Sequence, residues 1–290
     1  MKTSNLIKTA VAGVTLCLVA VGNVQAEQCQ LVDAVNSQAT IVKQYNSQVL
    51  FRDAKFSQLE VLLEKRYLES LNSEGGDLLM LNDINDVVQG NTGADKLVHM
   101  WIDQYPGSFL TQLGAGLFYI HWAPILSGIP NANGQSENMH EFNAKAIAYL
   151  QKAMQLNPRS VLPYSSMIDV AGVERQAAGK DVQEWLQIAN QVDPKNLSAR
   201  TQAIIYLSPK WGGSFELMEQ VVQQAQKLLS AQDIHYLEFL VIMQKARYEE
   251  VVTVDYTKAY ALYKQALNMC ENSKSARAGM IHTYQIRDDN

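Results

Sequence analysis

The chain has 290 residues, of which 47% are hydrophobic and 18% charged, with 24 Lys and Arg against 29 Asp and Glu. That length and apolar content suit one elongated repeat domain or two small globular ones. A net charge of −5 without any cluster of Lys and Arg excludes the electrostatic footprint of a nucleic-acid binder.

Lys2 and Lys8 precede an apolar run from Ala10 to Val21, and Val24 and Ala26 stand at the two positions a signal peptidase reads. A basic start, a run too short to span a bilayer and a V-x-A exit predict a Sec-type signal over residues 1–26, cut between Ala26 and Glu27. A buried core helix is the competing reading, but it would carry a polar face, and only Thr15 interrupts this run. Neither Leu16-Cys17 nor Gln28-Cys29 has the small-residue box of a lipoprotein. The expected product is therefore a free chain starting at Glu27, periplasmic or secreted. Loss of Lys2 and Lys8 leaves 264 residues, with 22 basic against 29 acidic side chains and a net charge of −7. No later stretch approaches the roughly 18 apolar residues of a membrane span, so no membrane insertion of the mature chain is expected.

Cys17 leaves with the signal, and the mature chain keeps Cys29 and Cys270. In an oxidising compartment these form a candidate intramolecular disulfide. Two free thiols, or a bridge between two chains, are the alternatives. No His lies within three or four positions of either cysteine, and the spacing fits no zinc ligand set, so no metal site is expected.

Apolar residues then recur at helical spacing almost throughout. Leu31, Ala34, Val35, Ile41, Val42, Tyr45 and Val49 form one stripe, and Phe56, Leu59, Leu62, Leu63, Tyr67 and Leu71 the next. Gly75-Gly76 and Asn91-Thr92-Gly93 break the pattern. A longer helix is predicted from Ser108 to about Ala123, stopped by Pro124, and the longest loop runs from Ile129 to Asn138. No strand alternation is evident. The predicted organisation is an N-terminal helical region over residues 27–138 and a repeat region over 139–290.

The repeat decides the architecture. Ala146, Leu150 and Ala153 lie at i, i+4 and i+7 of a helix ending at Asn157-Pro158. Val182, Leu186 and Ala189 repeat the spacing before Asp193-Pro194. Met218, Val222 and Ala225 follow, and then Ala259, Tyr263 and Ala266. An Ala at the third place of every copy lets a partner helix approach closely, and a Pro beyond the helix turns the chain into the next unit. This pattern fits the second helix of a tetratricopeptide unit. The fold class expected is all-α, a tetratricopeptide-like right-handed superhelix of helical hairpins. If Cys29 and Cys270 pair within one chain, the superhelix must curl until its ends meet, or the N-terminal segment must fold back along it.

Tyr105-Pro-Gly-Ser108, then Gly116 and Trp122, the Ala146–Pro158 helix and Ser208-Pro-Lys-Trp-Gly-Gly-Ser214 together resemble a bacterial family called domain of unknown function 4034. The resemblance covers roughly residues 100 to 225, and Pro209–Ser214 is its most specific part. The sequence departs after Trp122, where Ala123-Pro124-Ile125-Leu126 stands in place of an Arg-Gly pair. The resemblance implies no activity. Tyr256–Ala266 is similar to a helix of Sel1-type repeats, which supports the solenoid alone.

Lys210, Trp211, Gly212, Gly213 and Ser214 are the candidate binding residues, with Trp122 as an outlying aromatic. A Gly pair, a lysine and an indole at a helix N-terminus can grip an anionic group. A tight turn between repeats, with Trp211 buried and Ser214 capping the next helix, explains the same residues without a ligand. The spacing of a phosphate loop is missing. Among His99, His121, His140, His235 and His282 no two stand three or four apart, so no helix offers a paired metal face. Glu249-Glu250, Asp83 with Asp86, and Asp288-Asp289 sit in polar company and read as solvated. A glycan hydrolase instead needs an acid held protonated in an apolar pocket. No catalytic constellation and no cofactor motif appears. The expectation is an exported periplasmic scaffold for an envelope protein or peptide, with an envelope-polymer (peptidoglycan or glycan) hydrolase and a secreted interaction factor as alternatives.

Overall fold

A computed structural model describes Cys29, Leu31, Val32 and residues 46–88, 93–122, 125 and 137–288. The signal segment with its Ala26–Glu27 cut, the Asn91-Thr92 break and most of the 129–138 loop lie outside the described residues. Among the described residues every regular element is helical, as the apolar period predicts. Helices α1 (Phe56–Ser70), α2 (Gly76–Val87), α3 (Ala94–Gln104) and α4 (Phe109–Leu117) come first. The last of these runs on into a π-helical turn, Phe118–Trp122. Helices α5 (Glu137–Leu156), α6 (Leu162–Val173), the single turn α7 (Arg175–Ala178), α8 (Val182–Val192), α9 (Ser198–Tyr206) and α10 (Phe215–Ala225) follow. Helices α11 (Ala231–Val251), α12 (Tyr256–Met269) and α13 (Lys274–Asp288) end the chain.

Contacts group the chain into two compact units, residues 37–230 and residues 1–36 with 231–290. In the first, α4 is the central helix. Every residue from Leu110 to Leu117 is buried, and α1, α2, α3, α5 and α6 all pack against it. Ser108 caps it by accepting from the Thr111 N–H. In the second unit α12 packs between α11 and α13, over a core that includes Cys29, Val32, Phe239, Met243, Ala259, Tyr263 and Cys270.

The repeat register is as predicted. All twelve residues of the four triplets are buried, and the six alanines among them are completely so. Each triplet helix packs on the helix before it: α5 on α4, α8 on α6, α10 on α9 and α12 on α11. The triplets therefore mark second helices of successive pairs. Ala153→Leu or Ala189→Leu should cost about 1–3 kcal/mol through overpacking, measured as a lower urea midpoint at unchanged slope.

Sequence-distant polar ties fix the packing. Helix α9 starts without a capping side chain of its own. Asp77 on α2 supplies the cap, with Oδ2 accepting from the Leu197 and Ser198 N–H groups, both at 2.8 Å. In the second unit Glu250 accepts from Tyr263 at 2.5 Å and pairs with His282 Nδ1 at 2.6 Å, joining α11, α12 and α13. Its side chain is 14% exposed. Glu250 is thus not a solvated acid as its charged company suggests, because two neighbouring helices fold their polar groups onto it. Asp83 is similarly enclosed, 3.6 Å from the buried Arg66 guanidinium.

Candidate functional site

The Pro209–Ser214 turn begins at the end of α9 and leads into α10. Pro209–Trp211 forms one 3-10 turn, and Gly212 follows at φ +87°, a conformation that side-chain-bearing residues rarely take. Gly213 is required for a different reason. A Cβ there would lie 2.0 Å from the Leu207 carbonyl oxygen. The Trp211 and Gly213 N–H groups both donate to the Ser208 carbonyl, at 3.0 and 3.1 Å, and the Gly212 N–H donates to Pro209 at 3.2 Å. Ser214 caps α10 by accepting from the Leu217 N–H at 3.2 Å, as the sequence suggests. The amides of residues 211–213 are therefore spent inside the turn, which presents side chains outward.

Trp211 is not buried between repeats: it is 43% exposed. The expectation of a packed indole fails: the turn closes on its own backbone hydrogen bonds and leaves the side chain facing outward. One edge of the indole rests on Tyr206, ring centroids 5.2 Å apart, and Lys210 Nζ stands 5.3 Å from the Trp211 centroid. Tyr206 in turn occupies the space a side chain at Gly172 would take, since a Cβ there would meet its ring at 2.0 Å. Trp211 thus stands on an aromatic support wedged against α6.

Three residues before Gly172 on the same helix lies Asp169, 1% exposed, and neither of its carboxylate oxygens has a hydrogen-bond partner among the described residues. His121, in the π-helical turn after α4, brings Nε2 to 3.6 Å from Oδ2. Turns of this kind are rare inside α-helices and concentrate at functional sites. Burial pushes the Asp169 carboxyl up, with His121 opposing in part. Burial and the charge of Asp169 also raise the Tyr206 phenol. Sequence reading missed Asp169 because it looked for acids in pairs. The available signal was a lone Asp inside the apolar run Met167-Ile-Asp-Val-Ala171.

A carboxyl whose folded pKa lies above its unfolded value binds its proton more tightly when folded. Its contribution to stability is then present in acid and lost as pH rises from the ordinary carboxylate range through the raised value. Asp169→Asn removes the titration while keeping shape. This variant should melt higher than wild type near neutral pH, and the difference should vanish on acidification.

Trp122 does not join the indole at Trp211 in any direct contact among the described residues. Its N–H donates to Asn85 on α2 at 3.2 Å, and it reaches the cluster only as the neighbour of His121. Helix pairs in tandem with one aromatic turn define a helical-repeat protein. The family described as Domain of unknown function (DUF4034) matches residues 171–242. The match contains Gly172, Tyr206 and the whole Pro209–Ser214 turn, where the sequence resemblance is most specific. Tyr105–Trp122 and Ala146–Pro158 lie outside it. No curated protein and no solved structure matches the chain.

Proposed function

We propose that this is an exported, periplasmic helical-repeat protein that holds an envelope protein or peptide at the Pro209–Ser214 turn. The observation that carries the reading is the half-exposed Trp211 on its rigid support. An exposed indole that already rests on Tyr206 loses less freedom on binding than a free one, and Trp and Tyr are the side chains that dominate interface energetics. Export is supported by the composition of residues 1–26 and by the Cys29–Cys270 disulfide. No helix among the described residues is long and apolar enough to cross a membrane.

Trp211→Ala tests the reading. Stability should change by less than about 1 kcal/mol, because half the side chain is already in water. Pull-downs of envelope fractions with mature wild type, analysed by mass spectrometry, should return discrete partners that the variant loses. A variant destabilised by about 3 kcal/mol or more, with partners retained, would show a packing residue and remove the proposal.

One observation bears on a hydrolase: burial raises the Asp169 carboxyl above its ordinary value, the direction that the acid of such an enzyme needs. A general acid must also reach the bond it cleaves, and 1% exposure bars Asp169 from any polymer. The binding reading is therefore preferred.

A further inference from the structure

In the smaller unit, His235 on α11 directs Nε2 at both sulfurs of the Cys29–Cys270 bridge, 3.7 Å from Cys29 Sγ and 3.5 Å from Cys270 Sγ. These are its only polar contacts among the described residues. A disulfide that serves as a structural link gains little from an imidazole, since sulfur is a weak hydrogen-bond acceptor. The three donor atoms lie within 4.8 Å of one another, between two buried cysteines and one half-buried histidine.

The spacing has a chemical meaning. A tetrahedral ion with bonds of about 2.3 Å to sulfur and about 2.0–2.1 Å to nitrogen holds S and N roughly 3.5 Å apart. That separation already exists between the imidazole and each sulfur, so only the two sulfurs must part. Two soft thiolates with a borderline imidazole favour zinc or cuprous ion over the hard cations. The Cys29 sulfur also lies 3.0 Å from the Met269 carbonyl. We propose that, once reduced, Cys29, Cys270 and His235 bind one thiophilic d10 cation, Zn2+ or Cu+. The ion then replaces the covalent link between the N-terminal segment and the end of α12.

The step balances with a dithiol as reductant. Its two thiols give two electrons and two protons to the disulfide, become a disulfide themselves, and leave Cys29 and Cys270 as thiols. Binding then displaces one proton from each thiol onto solvent, while neutral His235 donates its Nε2 lone pair.

The full chain, reduced with excess dithiol, desalted without oxygen and checked by circular dichroism, is titrated separately with Zn2+ and with Cu+. The expected result is one ion per chain and protection of both cysteines from alkylation. Zn2+ alone or Cu+ alone identifies the cation, and either supports the site. His235→Ala and His235→Asn should each weaken binding by about 100-fold or more, as loss of a direct ligand exceeds the 10–100-fold of an outer-shell partner. The oxidised chain should bind neither ion. Binding unchanged in both His235 variants, no binding by the reduced chain, or a reduced chain whose lost helicity neither ion restores would overturn the proposal.

Discussion

Trp101→Ala should lower stability by about 3–5 kcal/mol, the range for emptying a fully packed aromatic site. The indole is completely buried and is the largest side chain in the core. It stacks on Phe56, centroids 6.4 Å apart, and meets Phe51 edge-on at 5.8 Å. From the other side α4 comes so close that a Cβ on Gly114 would sit 2.7 Å from the ring. Its N–H donates to Glu60 Oε1 at 2.7 Å, and the same oxygen accepts from Thr111 at 2.7 Å. One side chain thus ties α1, α3 and α4, and neighbours already in close contact cannot collapse into the space it leaves. Trp101→Phe should lose less, about 1–3 kcal/mol, since the ring contacts partly survive while a half-buried acceptor loses one donor. Urea unfolding of both variants reads the difference. A loss under about 1.5 kcal/mol for the alanine variant would mean that the site closes up and is not the keystone of α1, α3 and α4.

The all-helical class and the repeat register were legible because they rest on local period. Ala146, Leu150, Ala153 and their three copies announce their faces by spacing alone, and the helix predicted from Ser108 appears as α4 with its π-helical turn. Ser214 was equally readable, since a cap acts within three residues of itself. What escaped the sequence is what chain topology brings together over long separations. Asp77 caps a helix start 120 residues away, and Glu250 gathers Tyr263 and His282 from two other helices. His235 stands 206 residues from Cys29, so a search for ligands at helical spacing had no means of finding it. The candidate turn was half legible. Gly212-Gly213 marked its backbone correctly, but the packing of Tyr206 against Gly172, on which Trp211 rests, is a tertiary contact that no local pattern shows.

Cys29→Ser with Cys270→Ser should be the other costly change. The bridge joins residues 241 positions apart with Cα atoms 5.6 Å from each other, within the reach of a disulfide. In the chain-entropy account, removing a cross-link that closes so long a loop costs about 5 kcal/mol, and measured native disulfides return about 2–5 kcal/mol. The two cysteines meet inside one compact unit. Cys29 and Val32 lie in the same core as Phe239, Met243 and Tyr263, and their segment belongs to the compact unit of the last three helices. Loss of the bridge should therefore act first on that segment, whose covalent tie to the end of α12 it removes. Limited proteolysis of the double variant should cut near Cys29 before the helices unfold. Non-reducing electrophoresis with thiol labelling supplies the chemical test on mature protein: a single-chain band without reactive thiols is expected. Two reactive thiols in folded, oxidised material, or a band of twice the mass that reduction halves, would show that the cysteines do not pair within the chain. Reduced, metal-free wild type should match the double-serine variant in stability, because both lack the link, while any ion that bridges the thiols should restore part of it to the wild type alone.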